Sequence, residues 1–529
     1  MSTIAHLMAP KQDRAIVAEP SLDSVPDVVA ANTTALERST LKLAGRHLAA
    51  LRQEAREAAV QAAIVYMTEA GEPLPPQRES SILVSGHQPE LFHPGVWVKN
   101  FALQGLARKT NTTSLNIIVD NDIVKATSLS YLPINFPLPD VNQFPTKLPS
   151  LPFDTPSVHP PNEDYLVQNE SLFATYRNLF QFDWGYQPFL HAFWDTVLAA
   201  RTRTRNLGER LVTARRHWER QWGCHNLEVP VSRLCQTEPF AWFAGHLLCH
   251  LEDFHAIYNQ SVRQYRHQHR LRSRNHPVPE LGRQGDLWEA PFWAWNAGTQ
   301  QRGRLFVRLQ EKALAMVVNG TEWCWVARSP DAIADVWDAL ISQGKKVRSR
   351  ALTTTLFARL FLADLFIHGL GGGKYDEVTD NLIRQFYGLE PPRYLVLSTT
   401  LLLPFPRYPG TRNESEKLHH RLRELQHNPQ RYFDELDSIP EDALRLAQTK
   451  ERLIQTQGTN RLERRRRFHD LRKITDQLSA YLHVQKEMTE AELQNCRKQI
   501  QANDLLSKRD FSFVFHPEET LREFLTQFL

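Results

Sequence analysis

The chain has 529 residues, 42% of them hydrophobic and 23% charged, which excludes a disordered or fibrous chain and leaves apolar mass for a large core. Lys plus Arg number 63 against 59 Asp plus Glu, and the formal charge of +4 is too balanced for a dedicated nucleic-acid binder. Five cysteines without a CxxC pair exclude a disulfide-built scaffold and suit a reducing compartment.

Residues 1–30 carry Pro10, Pro20 and Pro26 and little apolar periodicity, so a loosely ordered start is expected. The first residues lack a basic start followed by an apolar run, and a cytoplasmic location is expected. Thr33 or Thr34 caps a predicted helix reaching about Glu69, with Leu41, Leu48, Leu51, Ala58 and Ala62 on one stripe. This N-terminal helical segment closes near residue 75.

A Rossmann-like α/β core is predicted over 76–411, with a helical insertion at about 165–280. Ser81–Val84 reads as a buried strand, Val96–Lys109 as a helix, and Leu115–Val119 as a second strand ending in Asp120-Asn121-Asp122. A strand, a helix and a strand within about 40 residues make a βαβ unit, whose strands must be parallel. Ligands of such sheets collect beyond the carboxyl ends of the strands. That spacing predicts that His87, His93, Asp120 and Asp122 share one rim. Nine prolines between 131 and 165 predict an extended excursion, a lid or specificity loop. Residues 170–270 read as mainly helical, and Phe306-Val307 and Met316–Val318 as strands. Leu352–Leu370 is the most apolar long segment, but Arg359, Asp364 and His368 would be costly in a bilayer. Leu352–His368 is therefore expected to be a helix buried in the core, stopped by Gly369–Gly373 and resumed from Lys374 to Tyr387.

From residue 412 to 508 glycine nearly disappears. Leu471, Ile474, Leu478, Tyr481, Gln485 and Met488 recur at steps of three and four, and Pro429, Pro440 and Gln457–Asn460 mark breaks. An antiparallel coiled-coil hairpin is expected there, with residues 509–529 returning to the body.

The loop Ser85–Gly95 holds the main candidates. His87 and His93 suit stabilisation of a phosphate or of a developing oxyanion. Gly86 permits a tight turn, Gln88 offers an amide, and Gly95 lets a ligand approach a helix start whose N–H groups favour anions. Lys99 would add a charge one turn later. Asp120 and Asp122 would hold a metal, orient an amine or act as a base, and Asn121 lies between them. Gly371, Gly372 and Gly373 with Lys374 and Glu377 form a second candidate anion site. No Walker loop, G-x-G-x-x-G fingerprint or G-x-S-x-G elbow occurs. His246 and His250 have zinc-ligand spacing but no evident third ligand, so they are read as packed helix face, and no metal is expected. Basic clusters lie at Arg201–Arg220, Arg263–Arg274 and Arg461–Lys473.

Ser85-Gly86-His87-Gln88-Pro89-Glu90-Leu91-Phe92-His93-Pro94-Gly95 resembles the early TGQQ-x-x-LF-x-GP segment of the bacillithiol-synthesis cysteine-adding enzymes, with His87 where that family usually has Gln. Ile118–Asp122 resembles the end of their next strand, and Leu370–Glu377 their GGP-x-E segment, with Gly373-Lys374 in place of the Pro. The GHQP stretch also resembles the WbqC-like family, linked to bacterial sugar and polysaccharide modification. The resemblance implies a Rossmann-like core, a coiled coil that makes a homodimer, and a ligase-like enzyme that joins an amino acid to the amine of an amino-sugar-type acceptor. ATP or ADP is its implied nucleotide. Two other readings stay open: a non-catalytic coiled-coil scaffold, and an RNA-associated protein using the basic hairpin. No membrane partner is expected.

Overall fold

A computed structural model describes residues 7–76, 81–271, 278–299, 301–457 and 459–529. The molecule is mixed α/β, and its central sheet contains six strands: β1 (Ile16–Glu19), β2 (Ile82–His87), β3 (Thr113–Ile118), β4 (Leu227–Pro230), β5 (Leu365–His368) and β6 (Leu395–Thr399). Their order is β1-β6-β5-β2-β3-β4. All neighbours pair in parallel except β1, which runs antiparallel along β6. The five parallel strands thus follow the doubly wound order 3-2-1-4-5, counted in chain order from β2.

Alternation along the strands loads both faces. Ile82, Val84, Phe366 and Val396 face one hydrophobic cluster; Leu83, Leu365, Ile367 and Leu397 face another. Helices α1 (Val25–Glu37) and α3 (Pro94–Thr110) pack into the second cluster. Helices α2 (Leu48–Glu69) and α5 (Leu370–Tyr387) pack into the first. Helix α4 (Leu207–Gln221) carries a buried ionic network to β4. There Glu228 accepts from Arg215 at 2.6 Å, Arg216 at 3.2 Å and Asn116 at 2.6 Å.

The predicted βαβ unit is β2–α3–β3, with Ile82 opposite Thr113 and His87 opposite Ile118. Elsewhere the structure differs from expectation. Residues 7–30 are ordered: β1 forms a sheet edge, and α1 begins at Val25 with Pro26 in its first turn, where a missing N–H costs nothing. The expected long first helix is two, separated by a short hairpin whose turn residues Ala44 and Gly45 have φ of 46° and 83°. Leu352–His368 is not one helix. Ala351–Phe357 is α-helical, Ala358–Leu362 makes a π turn, and Leu365–His368 is β5. Asp364 enforces the break, since its carboxylate accepts from the Ile82 N–H at 3.0 Å and pairs with Arg52 and Arg56. Glycines 371–373 therefore lie inside the first turn of α5 rather than ahead of it.

Residues 287–349 build a second, antiparallel sheet. Its strands are Leu287–Asn296, Gly303–Leu309, Ala313–Val318, Thr321–Ala327 and Lys345–Ser349, which include both predicted strands. The region after residue 411 folds as α6 (Arg412–His427), α7 (Glu441–Gln455), α8 (Arg461–Ala480) and α9 (His483–Leu506). Gly410 bonds Gln499, and Gln485 bonds the Glu435 carbonyl, so α6 and α9 run side by side in opposite directions. The expected breaks at Pro429 and Pro440 hold; Gly458 lies outside the described residues, as do Arg272–Arg274 of the second basic cluster. The expected seam from Leu471 to Met488 crosses a helix break at Tyr481-Leu482 and leaves Met488 exposed. Among the described residues, no helix is long and apolar enough to cross a membrane.

The C-terminal segment returns as expected. Phe513, Val514, Phe515, Leu521, Phe524 and Leu525 join the α3 cluster. The Phe528 carbonyl occupies the space a side chain at Gly105 would need.

Candidate functional site

The chain leaves β2 toward α3 on one face of the sheet and leaves β5 toward α5 on the other. The two exits open a crevice at the carboxyl edge, the topological switch point where doubly wound sheets bind ligands. Ile367 pairs with Ser85, so the next step in register sets His368 beside Gly86. Across the switch point, α5 starts at Leu370. Gly371 and Gly372 are exposed, and Gly373 is buried under Tyr394, whose hydroxyl donates to its carbonyl at 2.9 Å. The first turn of a helix has N–H groups without intrahelical partners, which suits an anion. Lys374 is half-buried there, while Glu377 is held by His269 at 2.9 Å.

The two loop histidines take opposite tautomers. His87 Nδ1 lies 2.8 Å from the Gln88 carbonyl and must donate to it, leaving Nε2 as an acceptor. His93 caps α3: its Nδ1 accepts from the Gly95 N–H at 3.1 Å, which leaves Nε2–H as a donor. Burial and the charge of Lys99 hold His87 well below the ordinary imidazole range; burial and Arg509 lower His93 to about 4. Both rings are therefore neutral near pH 7. His87 stands edge-on to Phe92 and borders a small, partly open pocket of about 10 Å³, shared with Asn100, Asn116 and Arg215, which is room for one water.

Lys99 is buried, and its ammonium donates to the Gly86 carbonyl at 2.9 Å. No carboxylate lies within ion-pair distance of it among the described residues, and burial lowers it to about 8. Arg509, from the C-terminal segment, sits where a Gly95 side chain would be and donates to the Ser398 hydroxyl at 2.8 Å. It too has no ion-pair partner among the described residues. His516 is fully buried, neither ring nitrogen has a hydrogen-bond partner among the described residues, and burial with His93 nearby lowers it to about 3. The start of α3 thus gathers Lys99, Arg509 and the donor of His93, with Asp510 the acid whose charge reaches Arg509 and His93. Arg509 and His516 escaped sequence reasoning because they lie more than 400 positions from the loop they join.

The acidic turn meets the His loop: the Gln88 amide donates to Asp122, and Lys125 donates to the Gln88 oxygen at 2.9 Å. Of the two carboxylates, Asp122 meets the His loop through Gln88, while Asp120 is turned to Ser232. Asp122 pairs with Arg302 at 2.8 Å and with Lys125 at 3.3 Å, cations that hold it below the usual carboxylate range. Both oxygens of Asp120 accept from Ser232, while burial and Glu163 push it up to about 7. Asn121 donates to the Ser349 carbonyl at 2.7 Å and accepts from Arg302 through its own carbonyl. The turn therefore fastens the second sheet to the first, and of its two acids only Asp122 reaches the His loop, through Gln88.

A different acid stands at the switch point. His368 Nε2 lies 3.0 Å from Asp376, which also accepts from Arg359 at 2.6 Å. Sequence reasoning placed His368 inside a helix; the only local signal was a histidine preceding a Gly-rich helix start. His246 and His250 pack with ring centroids 4.6 Å apart on one helical turn. Among the described residues no group of three or more His, Cys, Asp or Glu is placed to hold a metal. No family model matches the chain, and no curated protein matches it.

Proposed function

We propose that the protein is a ligase-like enzyme that joins an amino acid, cysteine by the resemblance of its loop, to the amine of a small sugar-derived acceptor at the switch point, with ATP or ADP as its nucleotide. The observation that supports this reading best is the uncompensated charge: among the described residues Lys99 is buried with no carboxylate within ion-pair distance, beside a helix start that also gathers Arg509 and the His93 Nε2–H. A buried ammonium without a partner costs stability, and such a cost persists where an anionic ligand supplies the missing charge. Amide formation passes through a tetrahedral oxyanion, for which the His93 Nε2–H and the start of α3 are preformed donors. The N–H groups of Gly371–Gly373, with Lys374, would hold the second anionic group.

The hairpin is proposed as an antiparallel coiled coil that joins two copies. Support comes from Ile454, Leu462 and Phe468, which are 52%, 81% and 61% exposed on α7 and α8. Sedimentation of the full chain reads this directly. RNA association keeps one observation in its favour: Phe468 stands exposed among Arg464, Arg465 and Arg466.

Thermal shift with ATP, ADP, amino acids and an RNA separates the readings. Nucleotide at about 100 times its dissociation constant should stabilise the protein by about 2.7 kcal/mol, with little dependence on salt. RNA binding that falls steeply with salt would replace the enzyme reading with the RNA one. No response to any of them would leave the scaffold.

A further inference from the structure

The expected base of the site, Asp120 or Asp122, is spent on Ser232 and Arg302. The crevice still needs a group that can take a proton from an incoming amine. We infer that His368 is that general base, that its Nδ1 is the accepting atom, and that Asp376 is its positioning residue. This inference rests on the proposed amide-forming reaction at the same site.

The tautomer follows from the partners. Asp376 accepts from Arg359 and is held far below the usual carboxylate range by it, so it is an anion and cannot donate. His368 Nε2, 3.0 Å away, must carry the hydrogen. That leaves a lone pair on Nδ1, which has no hydrogen-bond partner among the described residues. The ring cannot rotate to hide it: Phe366 and Tyr394 lie against it, with centroids at 4.4 and 5.0 Å. A carboxylate that fixes an imidazole tautomer, and is itself fixed by a cation, is the arrangement that base catalysis requires.

The glycines explain how substrate reaches the lone pair. A Cβ at Gly372 would lie 2.9 Å from His368 Nδ1 and would cover it. Side chains at Gly369 or Gly371 would meet nothing within 4 Å, so the space above the turn is open. In register, the neighbour on β2 is Gly86, which also has no side chain. The glycine run thus clears one imidazole nitrogen at the switch point, a role separate from anion binding.

The reaction balances as follows. A carboxylate oxygen of the amino acid first attacks a phosphorus of ATP, a P–O–P bond breaks, and ADP or pyrophosphate leaves, which yields a mixed carboxylic–phosphoric anhydride. The acceptor amine then attacks the carbonyl carbon, the N–C bond forms, and the C–O bond to the phosphorylated oxygen breaks. Phosphate or a nucleoside monophosphate leaves with the electron pair, and the amine proton passes to His368 Nδ1.

Diethyl pyrocarbonate, which carbethoxylates unprotonated imidazole nitrogens, tests this on the full chain with peptide mapping by mass spectrometry. His368 should be modified in the native protein despite being only 5% exposed. ATP at about ten times its dissociation constant should slow that modification about tenfold, because only the free fraction reacts. Gly372→Ala should keep the fold, confirmed by circular dichroism, and lose the modification. Asp376→Asn, able to present an N–H where the carboxylate accepted, should move the hydrogen to Nδ1 in imidazole 15N spectra and slow the reaction. An unreactive His368 beside reactive, exposed His419 and His420 would overturn the inference, as would modification that proceeds equally with ATP bound. Unchanged tautomer and reactivity in Asp376→Asn would remove its positioning role. If ATP and ADP fail to bind at all, the proposed function falls; if ATP binds and His368 ignores it, only this inference does.

Discussion

Replacing Lys99 by methionine tests the idea that the site stores an unpaired charge. The side chain is buried, its one partner is the Gly86 carbonyl, and burial alone lowers it from 10.5 to about 8. At 1.36 kcal/mol per pH unit, that fall amounts to about 3 kcal/mol by which the charged amine disfavours the folded state. Losing the hydrogen bond to Gly86 returns about 1 kcal/mol. Lys99→Met should therefore be more stable than the wild type at pH 7 by about 2 kcal/mol, read from urea unfolding. The sign with pH is fixed. Between about 8 and 10.5 the unfolded chain holds a proton the folded chain has lost, so wild-type stability rises with pH in that window and the gap between the two proteins closes. Inorganic phosphate should stabilise the wild type and leave the variant unmoved. A variant less stable at pH 7, with a gap that does not change up to pH 10.5, would mean that Lys99 has a structural counter-ion and that the argument from uncompensated charge is wrong.

Glu228→Ala leaves Arg215 and Arg216 short of a partner inside the protein and should cost about 3–5 kcal/mol, seen as a lower unfolding midpoint. Gly105→Ala forces a methyl against the Phe528 carbonyl; a cost of about 1–3 kcal/mol and faster proteolysis of the C-terminal segment are expected, with little change in helix content. Because burial lowers His516 to about 3, stability should be complete above pH 6.5 and lost as pH falls toward 3. His516→Phe should be the more stable protein at pH 5 by about 2 kcal/mol. Wild type and variant with the same acid profile would show that His516 does not carry that loss.

The β2–α3–β3 unit was legible because its pieces are local: a short apolar strand, a punctuated loop, a helix with one apolar face, and a second strand. None of the four remaining strands of the central sheet was, and two of them show why. Leu227–Pro230 contains Glu228, a residue that reads as surface until Arg215 and Arg216 are placed against it. Leu365–His368 is buried on both faces, and the apolar run Leu365–Ile367 carries no period to separate strand from helix. Its boundary depends on Asp364, whose partners Arg52 and Arg56 lie some 300 positions earlier. Long-range ion pairs set these assignments, and no window along the chain contains both members. The same reasoning accounts for the site. His87, His93 and Lys99 were found because they share a loop and the helix it opens; Arg509 and His368 were not, because topology alone brings them to that edge.

The placement of charge also explains why the acidic turn misled. Asp120-Asn121-Asp122 ends the strand beside the His loop, where a catalytic acid would be expected in a sheet of this kind. The second sheet, however, brings Arg302, Lys346 and Arg348 toward the same edge. Glu163 binds Arg348 at 2.9 Å and Lys346 at 3.1 Å, and Arg302 stacks on Trp293 at 4.1 Å while holding Asp122. Buried and half-buried cations in that number must find carboxylates, since an unpaired one would cost several kcal/mol. The acids on this side are therefore committed to joining two sheets. On the other side, Lys99 has no carboxylate within ion-pair distance among the described residues, although carboxylates are nearly as common as cations in the chain, 59 against 63. A fold that pairs its cations so thoroughly on one half of an edge, and buries Lys99 without a counter-ion in reach on the other, has the asymmetry on which the proposed anionic guest rests.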